Sequence, residues 1–460
     1  MSARSSKILP NDPQTKVLAT RLYELIADLP IISPHGHVDP ELLAKNQPFG
    51  NPTELFILKD HYVTRLLHSI GIDLAEIYKS NDSRKVWSIF YENYHAFAGT
   101  ASGYWFEETL KNIFGIEDLP SIENANRHYD LIASYLLEPA FLPKALAKRF
   151  NIEILATTDD PIDTLEHHRA ILADTSFETK VVPTFRPDKY LDPRASGWKE
   201  NVQKLLTLVN LKENNYSNFI AALEDRRRYF KQHGAFSSDH GVFEPYTCVL
   251  NEKTASDIYQ KALLGNASEN ESRDFAGHML VEMARMATID GLVMTIHAGV
   301  VRNHHEDTLK DFGPDTGHDL PVTCEWVQNL RPLLNAYGLN KSLKVVLFSL
   351  DETNWSREIA PLANFYPSVF IGAPWWFLDA PEAIQRFRAS TVDIAGFYKG
   401  SGFIDDTRAF FSIPARHDLA RRSDSAYLAK MVSEGRITFE QALKISVDLV
   451  TTIPRKAFNL

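Results

Sequence analysis

The sequence predicts an α/β fold, a (β/α)8 TIM-like barrel with a large helical insertion after the first strand. Two observations carry that reading. Short, near-continuous apolar runs lie at Leu29–Ser33, Ile152–Thr157, Lys180–Thr184, Leu292–Ile296, Lys344–Ser349, Ser368–Gly372 and, more weakly, Gly402–Asp405. Between them lie amphipathic stretches, such as Pro193–Leu211, Ser272–Ile289, Cys324–Tyr337 and Pro381–Thr391. Strands that are apolar on both faces and alternate with helices indicate a parallel sheet buried on both sides. Seven or eight of them over 460 residues favour closure into a barrel. The first run ends in Ser33-Pro34-His35-Gly36 rather than a glycine-rich phosphate loop, which argues against dinucleotide binding.

The remaining segments are assigned around that frame. Residues 40–148 carry helical patterns only and are expected to form an insertion over the barrel mouth. A second, smaller insertion is expected at 211–270. No linker-like tract separates the parts, so residues 1–460 read as a single decorated barrel. Composition narrows the function. The chain carries 49 Lys and Arg against 59 Asp and Glu, a formal charge of −10, without a basic stripe, which disfavours nucleic acid as a partner. No apolar run approaches the roughly 18 residues a membrane span needs. The N-terminal MSARSSKILPNDPQTK lacks an apolar signal core, and only Cys248 and Cys324 are present. A cytoplasmic location with free thiols is therefore expected.

The candidate chemistry gathers where barrel enzymes place it, at and just after the C-terminal ends of strands. His35 and His37 close the first strand; with a side-chain period of two they face the same way, a preorganised half-site for a divalent transition metal. Asp406, at the last strand end, offers a hard anionic third ligand, although the same Asp-Asp-Thr-Arg run also suits a helix cap. His297 follows another apolar strand, with Arg302 and Asn303 just beyond, and reads as a further ligand, a substrate contact or a buried core histidine. An anionic protein that binds a small anion must capture it locally, and Arg186 and Arg408 are the candidate guanidinium forks. His61 and Tyr62 open a helix of the insertion after Asp60 and could supply acid–base groups, or only a capped helix start. Trp375 and Trp376 could wall a sugar or simply pack.

These pieces, in this order, resemble the uronate isomerase (glucuronate/galacturonate isomerase) family of the amidohydrolase superfamily. The matching stretches are P-H-G-H at Pro34–His37, D-H-Y at Asp60–Tyr62 with Arg65, A-T-T-D-D-P-I-D at Ala156–Asp163 and R-P-D at Arg186–Asp188. Further matches are I-H-A-G-V-V-R-N at Ile296–Asn303, G-P-D-T-G at Gly313–Gly317, W-W-F at Trp375–Phe377, and D-T-R-A-F at Asp406–Phe410 with Arg416-His417 beyond. The resemblance implies aldose–ketose isomerisation of hexuronates, glucuronate to fructuronate and galacturonate to tagaturonate, by proton transfer through an enediolate. It implies His35, His37 and Asp406 as ligands of a divalent metal, zinc first, with manganese and iron also suited to the donors. Asp406, His61, Tyr62 and Arg408 are then catalytic, and Arg186, His297, Trp375 and Trp376 bind a small anionic sugar acid. The competing reading is a metal-dependent hydrolase or lactonase, or an isomerase of another sugar acid, on the same scaffold. Assembly as a symmetric homo-oligomer is expected.

Overall fold

In the computed structural model, which describes residues 7–460, seven parallel strands surround a common axis. The first six residues of the N-terminal stretch read above lie outside the described residues. The strands are β1 Ile31–Ser33, β2 Ile152–Ala156, β3 Lys180–Val182, β4 Ser237–Val242, β5 Val293–Ala298, β6 Val345–Ser349 and β7 Val369–Ile371. β1, β2 and β3 pair in order, as do β4, β5, β6 and β7. Phe185, just past β3, bridges to Ser238 of β4 and joins the two sheets. Gly400 bridges to Ile371, so residues 400–407 take the eighth position, and the His37 amide donates to Thr407 O at 3.0 Å to close the ring.

Val293, Met294, Ile296, Val345, Val346, Leu347 and Val369 are almost wholly buried, which is why these runs were readable as strands. The expected second insertion needs correction. Residues 211–270 contain β4, flanked by the helices Tyr216–Gln232 and Glu252–Leu263, and so include a strand–helix unit of the barrel itself. Ser237-Ser238-Asp239-His240-Gly241-Val242 has a single β-branched residue and reads as polar. Pairing on both edges satisfies its backbone, and its polar side chains find buried partners: Asp239 accepts from Thr295 Oγ1 at 2.6 Å, and His240 Nδ1 meets Thr295 O at 2.9 Å.

Between β1 and β2 the chain forms helices without a strand. The helix His61–Ser69 starts at the barrel mouth, where Asp60 accepts from the Tyr62 amide at 2.9 Å and caps it. A second excursion follows β5: a short antiparallel pair, Val300–Val301 with Leu320–Pro321, brackets the helix Glu306–Phe312. Gly317, at φ +96°, lets this excursion pass tightly over Arg65 and His61. Among the described residues, no helix is long and apolar enough to cross a membrane.

Candidate active site

The ends of β1 and β5 and the 400–407 segment bring four donors together. Asp406 Oδ1 lies 3.3 Å from His35 Nε2 and 3.0 Å from His37 Nε2. His35, His297 and Asp406 each offer a donor atom, all within 4.8 Å of one another. The His297 ring stacks on His35 with centroids 4.7 Å apart, and on Phe348 from the other side at 4.2 Å. Its Nδ1 bonds to Asp239 Oδ1 at 2.7 Å, whereas its Nε2 is buried without a partner. Asp406 Oδ1 is likewise buried without a well-directed hydrogen bond, despite two nearby imidazole nitrogens. Buried donors that face a shared point rather than one another fit a cation. The Asp239–His297 pair adds the carboxylate that metal-binding histidines ordinarily hold on their other nitrogen.

Electrostatics reinforce the arrangement. Burial would raise the Asp406 carboxyl, but the imidazoles of His35 and His37 hold it well below the usual carboxylate range. Burial would lower His35, and the carboxylates of Asp239 and Asp406 outweigh it and raise it. For His37 burial wins and its pKa falls. The neighbouring charges thus favour an ionised Asp406 carboxylate at the centre of the cluster.

A cleft opens on this cluster. His37 and Asp406 lie at its floor, with His61, Tyr62, Trp375, Trp376 and Arg408 around its walls. Burial, then Arg408 and Arg65, push His61 down to about 3, so it is neutral at ordinary pH. Burial raises the Tyr62 phenol well above its usual value. His61 stacks on Tyr62 at 4.7 Å and meets Trp376 edge-on at 5.9 Å, and Trp375 stands edge-on to His297 at 4.8 Å. Arg408 is 43% exposed and paired with Asp315 at 3.2 Å.

Arg186 stands near the cluster, where its charge acts on His35 and His37. Its Nε donates to Asp188 at 2.7 Å and its Nη1 faces Asp239 Oδ2 at 3.4 Å, behind His297 rather than on the cleft wall. Sequence reasoning missed Asp239, because β4 did not read as a strand, and missed the wall residues Asp315 and Asp319. Arg302, read only as one of several polar residues after a strand, reaches the cleft. It donates to Asp319 at 2.8 Å and lies over the Trp376 ring at 5.1 Å. Arg416 is buried beneath Tyr62, bonded to Asp379 at 2.8 Å and packed 3.6 Å above Trp105.

A parallel barrel with a histidine–carboxylate cluster at the C-terminal mouth defines an enzyme of the amidohydrolase type. The sequence profile of the glucuronate isomerase family matches residues 13–456. A uronate isomerase from Corynebacterium efficiens is 45% identical, covering 100% of this chain and 99% of its own. The crystal structure of glucuronate isomerase from Caulobacter crescentus superposes with a TM-score of 0.97 at 40% identity, over 100% of this chain and 97% of that one. That of uronate isomerase from Thermotoga maritima superposes at 0.94 with 29% identity, over 100% of both chains. The chain belongs to the uronate isomerase family and is an isomerase.

Proposed function

We propose that the cleft interconverts a hexuronate aldose and its 2-ketose, glucuronate with fructuronate and galacturonate with tagaturonate. The observation that carries this reading is the gathering of donor atoms of His35, His297 and Asp406 within 4.8 Å, with His37 3.0 Å from Asp406, beside a cleft lined by Arg302 and Arg408. His35, His37 and Asp406, with His297 as a further ligand, would hold a divalent cation, which when bound would supply Lewis-acid polarisation of the sugar oxygens; zinc is our assignment, and manganese or iron suits the same donors.

The chain's own residues handle the protons. Moving the carbonyl from C1 to C2 requires removing the C2 proton and returning one to C1. Asp406, ionised at ordinary pH, takes the first and delivers the second. Tyr62 keeps its proton and donates a hydrogen bond to the oxygen on which charge develops. His61 is a neutral hydrogen-bonding wall rather than the base. Arg408, with Arg302 opposite, receives the sugar carboxylate at the rim, and Arg186 steadies Asp239 behind His297. Trp375 and Trp376 line the sugar's apolar face. Unpaired Cys248 and Cys324 suit a reducing cytoplasm.

The test is NMR of the metal-supplemented protein with each hexuronate in D₂O. Ketose signals accompanied by loss of the C2 proton support the reading. No ketose from either sugar overturns it and returns attention to other sugar acids and to lactone hydrolysis.

A further inference from the structure

Asp406 sits in an unusual backbone state. Its φ is +42°, in the left-handed region that residues other than glycine, asparagine and aspartate rarely adopt. Aspartate tolerates that region better than most side chains, and its surroundings select it here. Besides His35 and His37, the surroundings include one helix, Ile413–Ser433, whose first turns reach back to the preceding residue. His417 Nε2 bonds to Asp405 Oδ2 at 3.0 Å, and Arg416 Nη1 reaches Asp405 O at 3.4 Å. Asp405, Arg416 and His417 are all buried, and the Phe403 ring packs edge-on against His417 at 5.0 Å.

The same helix also grips the other half of the donor set. Arg421 donates to Leu29 O at 2.8 Å and Pro30 O at 3.0 Å, at the entry to β1, which leads two and four residues beyond its end to His35 and His37. The Asp405 carboxylate lies directly under the turn between those histidines: a side chain at Gly36 would begin 3.5 Å from its Oδ1. Asp405 is therefore packed between the β1 histidines and the helix, one residue before Asp406.

We propose that His417 is a positioning residue: through its bond to buried Asp405 it holds the Asp406 carboxylate in the left-handed conformation that aims it at His35 and His37. The proposal rests on Asp406 being the ligand and proton carrier assigned above. His417 touches neither cation nor sugar. Its effect is on where the Asp406 oxygen stands, so it governs metal retention and turnover more than sugar affinity.

The test compares His417→Leu, which removes the donor, with His417→Gln, which keeps an N–H toward Asp405, in the full-length chain. Zinc and manganese dissociation constants come from competition with a chromogenic chelator; kcat and KM are measured on the hexuronate that the wild type turns over. His417→Leu is expected to lose metal affinity and kcat by roughly 10- to 100-fold, the usual range for groups that orient ligands. KM should stay within about three-fold, and His417→Gln should recover most of both losses. Wild-type metal affinity in His417→Leu, or a glutamine variant as defective as the leucine one, overturns the proposal. If His417→Leu does not fold by circular dichroism, Asp405→Asn replaces it and must weaken metal binding, or the proposal fails. The chelator arm does not depend on which sugar is the substrate, so a wrong substrate assignment would leave it readable. A wild-type chain that binds neither ion would overturn the metal assignment and this proposal together.

Discussion

Asp239 Oδ1 and His297 Nδ1 lie 2.7 Å apart across β4 and β5, which fixes the imidazole and leaves Nε2 for the cluster. Asp239 is held well below the ordinary carboxylate range: burial would raise it, and His297, His35 and Arg186 together outweigh burial. The pair is the inner support of the donor set.

Asp239→Asn should therefore lower metal affinity and kcat by roughly 10- to 100-fold while the fold persists. An amide can still meet Nδ1, but it no longer adds negative charge behind the ring. Chelator competition and circular dichroism on the same sample check both halves. Unchanged metal affinity would mean that His297 packs in the site without serving the cation.

His61 should leave no mark on the pH–rate profile. With its pKa pushed down to about 3, mainly by burial, it does not change charge between pH 5 and 8. His61→Asn is expected to reduce kcat/KM by roughly ten-fold, the cost of a displaced hydrogen bond, with both limbs of the profile where they were. A limb near pH 6.5 that vanishes in the variant would make His61 the general base instead.

Arg408→Lys keeps the charge and loses the planar fork. If Arg408 receives the sugar carboxylate, KM should rise by roughly 10- to 100-fold, the cost of a charge-assisted hydrogen bond. A KM equal to that of the wild type would reduce Arg408 to a surface partner of Asp315.

Much of the barrel was legible because seven of its strand positions are marked by apolar or β-branched runs, which burial on both faces demands. β4 was not, since its polar residues are paid for by partners distant in sequence: Asp239 by His297 and Thr295, His240 by a backbone carbonyl. The His-Gly-His pair could be read as a half-site because its spacing encodes a shared direction, whereas Asp406, equally suited to a helix cap, stood out only through the family resemblance. Arg186 shows the limit: its residue type suggested anion capture, and its sequence position did not show that the fold sets it against Asp188 and Asp239. Which carboxylate an arginine meets depends on register between strands, and sequence spacing does not carry that.

His168 gives a stability test away from the chemistry. It is buried, bonded to Thr157 Oγ1 at 2.8 Å, and lowered by burial to about 4. Between that value and its unfolded pKa of 6.5, the unfolded chain binds a proton that the folded chain refuses. This contribution to stability is intact above pH 6.5 and is lost as pH falls toward 4. His168→Gln cannot titrate, so wild-type stability relative to it should drop by about 2 kcal/mol between pH 7.5 and 5. Urea unfolding at the two pH values measures the difference, and an unchanged difference would mean that His168 takes up its proton as readily in the folded chain as in the unfolded one.

The central claim is that Asp406 carries the proton between C2 and C1, and C2-proton exchange in Asp406→Asn tests it most directly. The variant, incubated in D₂O with the hexuronate that the wild type converts, is followed by the NMR signal of the C2 proton. The account predicts exchange at least about 10²-fold slower than in the wild type, the lower range for loss of a positioned general base. Exchange at the wild-type rate would contradict it, and would move the base to another group in the cleft.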